Sequence, residues 1–254
     1  VETIFTNFFS QIMPLGAVPV RGLVMVGEDT AFYHHPANTC WGVVMIRDNC
    51  LRPAHLMRAP QFKPREEHRA KLYGDLARVR RLNKRLASAY PDPNEFIMLL
   101  GQFLKNCANQ FGFARAMRLM HGAMTPSNLA INGQWLDLPM ASAVRGGVNQ
   151  CLTSQFFSEQ ECPVSCVVEI LYNFGKYNGK IMNPDPLIKY YYEQFDAYFR
   201  HHVGYAVGLN SDVIDKIDEV DVTTWTTVSD AFKKVIHANP KLVNDPVTFT
   251  SGDP

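Results

Sequence analysis

The segment from His121 to Asp137 contains residues that could bind a metal ion. Asn128 supplies an amide oxygen, and Asp137, nine residues later, supplies a carboxylate. The turn pair Asn132-Gly133 separates two short apolar runs, so the sequence predicts two short strands joined in a hairpin. A hairpin brings its ends together, and the two side chains would then offer oxygen ligands that suit Mg²⁺ shared with a phosphate chain. Kinase-type phosphate chemistry uses such an asparagine and aspartate.

The same segment has a second interpretation, an ordinary surface hairpin in which the asparagine and aspartate occur by chance. Asn-Gly turns are common, and spacing alone does not separate the two interpretations. His121, at the start of the segment, is expected to hydrogen-bond the loop backbone rather than to carry protons. His34 and His35 are expected to be solvent-facing loop residues, and Val144 to Gly147 reads as a flexible connection.

A long apolar helix is predicted to lead the chain into this segment. Apolar side chains recur at spacings of three and four from Phe96 to Met117, after a capping stretch at Pro91 to Asn94. An N-terminal helix is predicted from the apolar stripe between residues 4 and 12, which a proline and a glycine end. Two paired strands are predicted over 22–26 and 41–47, and further helices over 71–89, 166–177, 187–203, 212–220 and 228–236.

Composition indicates a folded enzyme or binding domain rather than a disordered chain. The chain has 254 residues, of which 46% are hydrophobic and 19% are charged. Its net charge of +1 gives no overall attraction to nucleic acid or to anionic membranes, so neither is expected as a partner. Apolar runs stay short of the roughly 18 residues of a membrane span. A cytoplasmic location is expected, or a mitochondrial one if the source is eukaryotic.

The six cysteines are too sparse for the disulfide framework of a small secreted protein. Cys162 and Cys166, together with nearby Cys151, admit a zinc interpretation. No Cys-x-x-Cys pair and no histidine at zinc spacing supports it. Reduced and mostly buried thiols are the favoured interpretation.

The loop resembles the His-Gly-Val-Met-Asn-Thr-Asp-Asn…Asp segment of the selenoprotein O (YdiU) family of kinase-fold protein adenylyltransferases. His121, Gly122 and Met124 match that segment, and Asn128 and Asp137 fall on the family's two metal ligands at the same separation. Other segments match in the same order at lower identity, namely the helix headed by Glu2, residues 15–23, residues 43–62 and residues 191–209.

The resemblance implies an α+β, protein-kinase-like fold that consists mostly of the helical C-lobe with a remnant of the N-lobe sheet. Residues 1–48 would form the partial N-lobe. Residues 49–254 would form the helical lobe, with the metal and catalytic loop at 121–138. ATP and Mg²⁺, or Mn²⁺, are the implied cofactors, and a protein substrate or docking partner is implied as well.

The resemblance also implies roles for individual residues. Asn128 and Asp137 would hold the metal, and Glu2 falls on the glutamate of the family's αC helix. Arg52 and Arg58 resemble two arginines that hold phosphate in the orientation that exposes the α-phosphorus. Arg52 and Arg58 are one residue closer in sequence than the family's two arginines. Arg47 is an alternative to Arg52 as the first of the two phosphate-binding residues.

At the position where the family has its proposed catalytic aspartate, this chain has Ser127. A serine hydroxyl cannot act as a carboxylate base near neutral pH. The resemblance therefore implies an ATP- and Mg²⁺-dependent nucleotidyltransferase that moves AMP to protein hydroxyls, impaired or redirected by this change. The alternative is a pseudokinase that binds nucleotide or a partner protein without catalysis.

The chain opens on Val1, directly on the αC-like helix. The family's glycine-rich loop and phosphate-contacting lysine would lie before this point, so the sequence shows no lysine partner for Glu2. We expect the chain to be a fragment or an excised domain of a longer protein.

Overall fold

Helices make up most of this structure, and its strands form two small two-stranded sheets. The structure is a computed structural model and describes residues 1–31, 40–60, 65–72, 74–143 and 158–237. The fold is α+β and mostly helical, as predicted. The α-helices are α1 Glu2–Ile12, α2 Pro53–Leu56, α3 Arg69–Leu72, α4 Asp75–Ala89, α5 Pro93–Ala116, α6 Cys162–Asn178, α7 Asp185–Ala206, α8 Ser211–Val220 and α9 Val222–His237, with short 3-10 helices at Glu66–His68 and Glu159–Glu161.

The first sheet is an antiparallel pair of strands, β1 Val20–Ala31 and β2 Cys40–Arg47. Val24 lies opposite Val44 in this pair, so the predicted pairing of the two strands is confirmed. The second sheet pairs β3 Leu119–Met120 with β4 Ser142–Ala143 and lies at the start and end of the candidate loop.

Helix α5 runs through the main core because it carries apolar residues on most of its surface. Its N-terminus is capped as predicted, since the Asp92 carboxylate accepts a hydrogen bond from the Asn94 N–H at 2.9 Å. It packs closely against α7 at Gly112, where an added Cβ would lie 3.0 Å from the Phe199 nitrogen. The helix ends at Ala116, so it leads directly into β3 and the loop.

The single helix predicted over residues 71–89 is wrong, because Gly74 separates α3 from α4. Asp75, the first residue of α4, accepts a hydrogen bond from the Ala59 N–H at 2.9 Å and one from the Arg78 side chain at 2.7 Å. Tertiary contacts with residues 57–59 therefore hold the start of this helix. Helix α9 also begins earlier than predicted, because Asp221 caps it by accepting from the Thr224 N–H at 3.0 Å.

Three aromatic side chains of α7 are core residues. Tyr191, Phe195 and Phe199 are buried in two adjoining apolar clusters. In the part of the chain that the structure describes, each helix is either too short or too polar to cross a membrane.

Candidate functional site

The loop between His121 and Leu138 reverses direction, as the sequence predicts. The Leu136 N–H donates to the Asn128 carbonyl oxygen at 2.9 Å. Asn128 therefore lies beside the residue that precedes Asp137, and the reversal brings the two candidate metal ligands into one neighbourhood.

The predicted form of this reversal, two strands with a two-residue Asn-Gly turn, is wrong. Leu129 and Trp135 form a single antiparallel bridge. The Ala130 N–H donates to the Gln134 carbonyl at 2.9 Å, and the Gly133 N–H donates to the Ala130 carbonyl at 2.9 Å. The turn thus contains three residues, the last of which is Gly133 at φ +89°. A three-residue turn of this kind needs a left-handed final residue, which glycine adopts without a steric cost.

The pairing stays short because Trp135 uses its backbone on another segment. Its carbonyl accepts from the Val18 N–H at 3.0 Å, and its N–H donates to the Gly16 carbonyl at 3.4 Å. The segment that joins α1 to β1 therefore competes with the second arm of the hairpin. Sequence periodicity does not reveal this competition, because the two segments lie far apart in the chain.

The side chains of Asn128 and Asp137 keep oxygen atoms available for a cation. The Asn128 Nδ2 donates to the Ala123 carbonyl at 2.8 Å, which fixes the amide. Its Oδ1 accepts from the Ser127 hydroxyl at 3.4 Å, a long contact and the one partner that the described residues give it. Asp137 is exposed, and the described residues place no hydrogen-bond or ion-pair partner on its carboxylate. One amide oxygen and one carboxylate fit a Mg²⁺ ion that takes its other ligands from phosphate and water.

No group of three or more histidine, cysteine, aspartate or glutamate side chains that could hold a metal occurs among the described residues. A divalent cation at Asn128 and Asp137 would therefore depend on ligands from a bound phosphate. The same finding leaves the zinc interpretation of Cys162 and Cys166 without support in the described part of the chain. Cys151, the side chain of Cys40, the histidine pair at 34–35 and the segment 144–147 lie outside the described residues.

Glu2 holds the backbone at Asp137. Its Oε1 accepts from the Asp137 N–H at 3.1 Å, and its Oε2 accepts from the Leu138 N–H at 2.8 Å. Arg47, at the end of β2, donates to Oε1 at 2.9 Å, so the glutamate has an arginine partner that the sequence did not assign to it. Asp137 has a left-handed φ of +59°, a conformation that persists only when its surroundings hold it. The contacts with Glu2 supply part of that restraint.

The two predicted phosphate arginines occupy different places. Arg52 lies at the loop, where its Nη1 donates to the Ser127 carbonyl oxygen at 3.0 Å. Arg58 forms an ion pair with Asp75 at 3.7 Å, and its backbone N–H donates to Glu169 at 2.8 Å. The Arg58 guanidinium is thus directed to the start of α4, and the structure does not bring the two arginines onto one partner.

The Ser127 side chain is exposed, and its hydrogen-bond partners in the described part of the chain are neutral. Its hydroxyl lies 2.8 Å from the Thr125 hydroxyl and 3.4 Å from the Asn128 Oδ1. Neither group can accept a proton near neutral pH. Among the described residues, the Ser127 hydroxyl therefore has no base as a hydrogen-bond partner.

Glu159 anchors the start of the loop, a role that sequence reasoning did not identify. Its carboxylate accepts from the His121 N–H at 3.1 Å and from the Gly122 N–H at 3.3 Å. Burial raises the pKa of Glu159 to about 7, although these hydrogen bonds and the nearby Arg115 guanidinium act to lower it. Burial likewise lowers the pKa of Arg115 to about 10. Glu159 has no periodic or motif signal, so only the folded chain shows the contact.

His121 supports the loop through its ring, and the prediction that it bonds the backbone is confirmed. Its Nε2 donates to the Leu136 carbonyl at 2.7 Å, and its Nδ1 accepts from the Ala123 N–H at 3.3 Å. These two bonds require the neutral ring with the proton on Nε2. Burial lowers the pKa of His121 to about 4, which agrees with a neutral ring.

Two cavities border the loop. One of about 520 Å³ lies between residues 123–128 and the start of α6, and Glu159, Cys162 and Ser165 line its far side. The other, of about 380 Å³, lies between residues 48–51 and residues 130–134. Both faces of the loop are thus accessible to small molecules.

Replacing Gly122 with alanine is expected to destabilise the protein more than the same change at Gly179. Both glycines have left-handed φ values, +79° and +65°, so alanine at either would cost roughly 1–2 kcal/mol of backbone strain. A Cβ at Gly122 would overlap the Met140 carbonyl oxygen, whereas one at Gly179 would meet no atom within 4 Å. We expect about 1–3 kcal/mol of additional destabilisation for Gly122→Ala in urea denaturation. Equal losses for the two variants would contradict the packing of Gly122 on Met140.

The stability of the protein is expected to fall below pH 6.5 because His121 is buried in its neutral form. Between the unfolded value of 6.5 and the folded value of about 4, the unfolded chain binds a proton that the native state does not bind. This histidine alone should lower the free energy of unfolding by about 3 kcal/mol as the pH falls from 6.5 to about 4. His202 acts in the same direction, since burial lowers its pKa to about 4. Glu159 opposes both, because its raised pKa lets the native state bind more protons.

The contribution of His121 can be separated by comparing the parent with His121→Gln in denaturant titrations across this pH range. The variant cannot titrate at this position, so its stability should depend less steeply on pH. Parallel pH profiles for the two proteins would show that His121 is protonated equally in the folded and unfolded states.

No protein-family model and no curated protein sequence matches the chain. The functional interpretation therefore depends on the geometry of this loop and on the resemblance of its residues.

Proposed function

We propose that the loop at 121–138 binds a nucleoside triphosphate with Mg²⁺ and that the protein is an adenylyltransferase-like nucleotidyltransferase. The observation that carries this proposal is the exposure of the Asp137 carboxylate together with the restraint of its backbone. Its carboxylate is exposed and has no partner among the described residues, while Glu2, which is paired with Arg47, accepts the N–H of this left-handed residue. An acid held in this way beside Asn128, itself fixed by a bond to Ala123, suits a shared cation.

The charges around the loop suit a phosphate chain. Arg52 uses one nitrogen to donate a hydrogen bond to the Ser127 carbonyl oxygen. An arginine has further N–H donors, arranged in a fork that matches phosphate oxygens. Arg58 would first have to leave Asp75, so Arg52 is the better placed of the two predicted arginines. Arg47 is committed to Glu2, which supports a positioning role for it rather than the phosphate role for which it competes.

A protein-kinase-like arrangement is our interpretation of the fold. Three features support it: a helix whose glutamate reaches the backbone of the loop aspartate, a strand pair directly after that helix, and a long buried helix that leads into the loop. Under this interpretation, residues 1–48 correspond to the partial N-lobe and residues 49–254 to the helical lobe. The nucleotide would lie between α1 with its strand pair and the loop.

The proposed reaction is attack of a protein hydroxyl on the α-phosphorus of ATP, with release of pyrophosphate. Arg52 would orient the phosphates, and Asn128 and Asp137 would hold the cation that neutralises their charge. Proton removal from the acceptor is the weak step, because Ser127 cannot act as a base and Glu159 is occupied by backbone N–H groups. We therefore expect slow transfer compared with an enzyme that has a carboxylate at position 127.

The alternative is a pseudokinase that binds nucleotide or a partner protein without catalysis. The neutral surroundings of the Ser127 hydroxyl favour this function. A pseudokinase that binds nucleotide shares that step with the transferase and lacks transfer, whereas one that binds only a partner protein lacks both, so two experiments separate these cases.

The first experiment measures thermal stabilisation by ATP with Mg²⁺ or Mn²⁺. A ligand at a hundred times its dissociation constant adds about 2.7 kcal/mol to the unfolding free energy. We expect Asn128→Ala and Asp137→Ala to abolish the stabilisation. Glu193→Ala, which removes an exposed carboxylate from α7, should retain it. Absence of any shift in the parent protein, with either metal, would reject the nucleotide site.

The second experiment follows label from ATP into protein. Transfer of label from the α-phosphate, but not from the γ-phosphate, is the result expected for adenylylation. Ser127→Asp should raise the rate, since a carboxylate base contributes typically 10²- to 10⁴-fold. Nucleotide binding without transfer in both the parent and Ser127→Asp would favour the pseudokinase.

A further inference from the structure

We propose that Cys162 and Cys166 are an oxidisable dithiol, which peroxide converts into a disulfide that loosens the anchor of the candidate loop. The disulfide itself does not depend on the proposed function. Only its consequence for nucleotide binding rests on that function.

The two thiols lie next to each other at the start of α6, with their sulfur atoms 4.0 Å apart. Cys162 is the first residue of the helix and is partly exposed, and it lines the 520 Å³ cavity beside the loop. Cys166 is one turn further and fully buried. One sulfur is therefore accessible to a small oxidant, and the second lies within reach of the first.

The chemistry requires a two-electron oxidant, for which hydrogen peroxide is sufficient. The Cys162 sulfur attacks one peroxide oxygen, the O–O bond breaks, and a sulfenic acid and water form. The Cys166 sulfur then attacks the sulfenic sulfur, and the hydroxyl leaves as water with the thiol proton. The two cysteines lose two protons and two electrons in total, and the peroxide is reduced to two waters.

Closing this bond would change the first turn of α6. Cβ atoms four residues apart in a helix are about 5–6 Å apart, whereas a disulfide needs roughly 3.5–4.5 Å. The turn must therefore tighten by about 1–2 Å. The first N–H groups of a helix have no partner within it, so this end can deform at a lower cost than its middle.

Deformation at Cys162 would reach the candidate loop through Glu159. The 3-10 helix Glu159–Glu161 directly precedes Cys162, and Glu159 accepts the N–H groups of His121 and Gly122. A shift of this turn would lengthen those bonds. Oxidation would then loosen the start of the loop that carries Asn128.

A third thiol, Cys107, provides an internal competitor. It is fully buried on α5 and close enough to both cysteines for their charges to interact, and burial raises its pKa well above the usual value. Cys107 is as buried as Cys166, but among the described residues only Cys166 is shown with its sulfur 4.0 Å from that of Cys162. The proposal therefore assigns the disulfide to Cys162 and Cys166 and leaves Cys107 reduced.

The test treats the full chain with hydrogen peroxide, blocks the remaining thiols with an alkylating agent in acid, and cleaves after glutamate. Cleavage after Glu161 and Glu169 releases the peptide 162–169, whose two cysteines are the proposed pair. We expect this peptide to be two hydrogen atoms lighter and unalkylated, and to become doubly alkylated after reduction. Cys162→Ser and Cys166→Ser should abolish this species, while Cys50→Ser should keep it.

A peptide that carries two alkyl groups after oxidation, a sulfinic acid on Cys162 or a cross-link to Cys107 would each overturn the proposal.

Amide hydrogen exchange of residues 119–124 tests whether the disulfide loosens the loop. Exchange there should become faster in the oxidised parent and stay unchanged in peroxide-treated Cys166→Ser. Unaltered exchange in the oxidised parent would reject the coupling. The peptide analysis and the hydrogen exchange do not require ATP to bind. Failure of the proposed nucleotide site can therefore be distinguished from failure of the disulfide proposal.

Discussion

Replacing Trp135 with alanine is expected to lower the free energy of unfolding by about 3–5 kcal/mol. Its indole is fully buried and contacts the rings of Phe9, Phe111 and His121 at centroid distances of 5.9, 5.4 and 5.3 Å. These rings come from α1, α5 and the loop, so one side chain joins the three elements that form the candidate site. Alanine would leave a cavity at their junction, which the surrounding helices can fill only in part.

Trp135→Phe is the matched control for this change. The indole N–H has no hydrogen-bond partner among the described residues, so phenylalanine loses packing but no hydrogen bond. We expect a clearly smaller loss than for alanine in guanidinium denaturation. A loss as large as that of Trp135→Ala would indicate that the indole N–H has a partner in solution. A loss below about 1 kcal/mol for alanine would contradict the packing of the three elements.

Replacing Glu159 with alanine is expected to cost about 3–5 kcal/mol, as is usual when one member of a buried charged cluster is removed. The change deprives the N–H groups of His121 and Gly122 of their acceptor, and it removes a compensating negative charge near the buried Arg115. The start of the loop would lose its anchor. Faster amide exchange at His121 and Gly122 should therefore accompany the loss of stability.

Glu159→Gln separates the shape of the side chain from its charge. Burial raises the pKa of Glu159 to about 7, so a substantial fraction of this side chain is already neutral at pH 7. Glutamine resembles that neutral form and retains a carbonyl oxygen for the two N–H groups. We expect it to cost much less than alanine at pH 7. Equal losses for the two variants would show that the negative charge, rather than the hydrogen bonds, supports the loop.

Local periodicity predicted most of the helical structure. The apolar stripes of α1, α5 and α7 were visible at helical spacing, and Pro14 and Asp92 marked a helix end and a helix start. These signals are local, because they depend on residues within one or two turns of each other. The split between α3 and α4 was not visible, because a contact between Asp75 and Ala59 sets that boundary.

The candidate ligands could be chosen from sequence, but their surroundings could not. Asn128 and Asp137 were chosen by type and spacing, and the chain does reverse between them. The form of the turn was predicted incorrectly, because Trp135 uses its backbone on Val18. The roles of Arg52 and Arg58, of the metal and of the nucleotide remain predictions that the proposed experiments test.

The sequence by itself determined that this chain forms an α+β, mostly helical protein and that one loop contains an amide and an acid nine residues apart. Helical spacing and turn residues encode such features within short segments. Only the tertiary structure decided that Arg47 pairs with Glu2, that Glu159 holds the start of the loop, and that Arg58 is directed to Asp75. Each of these contacts joins residues that are distant in sequence or separated by a turn. Their partners are therefore set by how the elements pack rather than by local pattern.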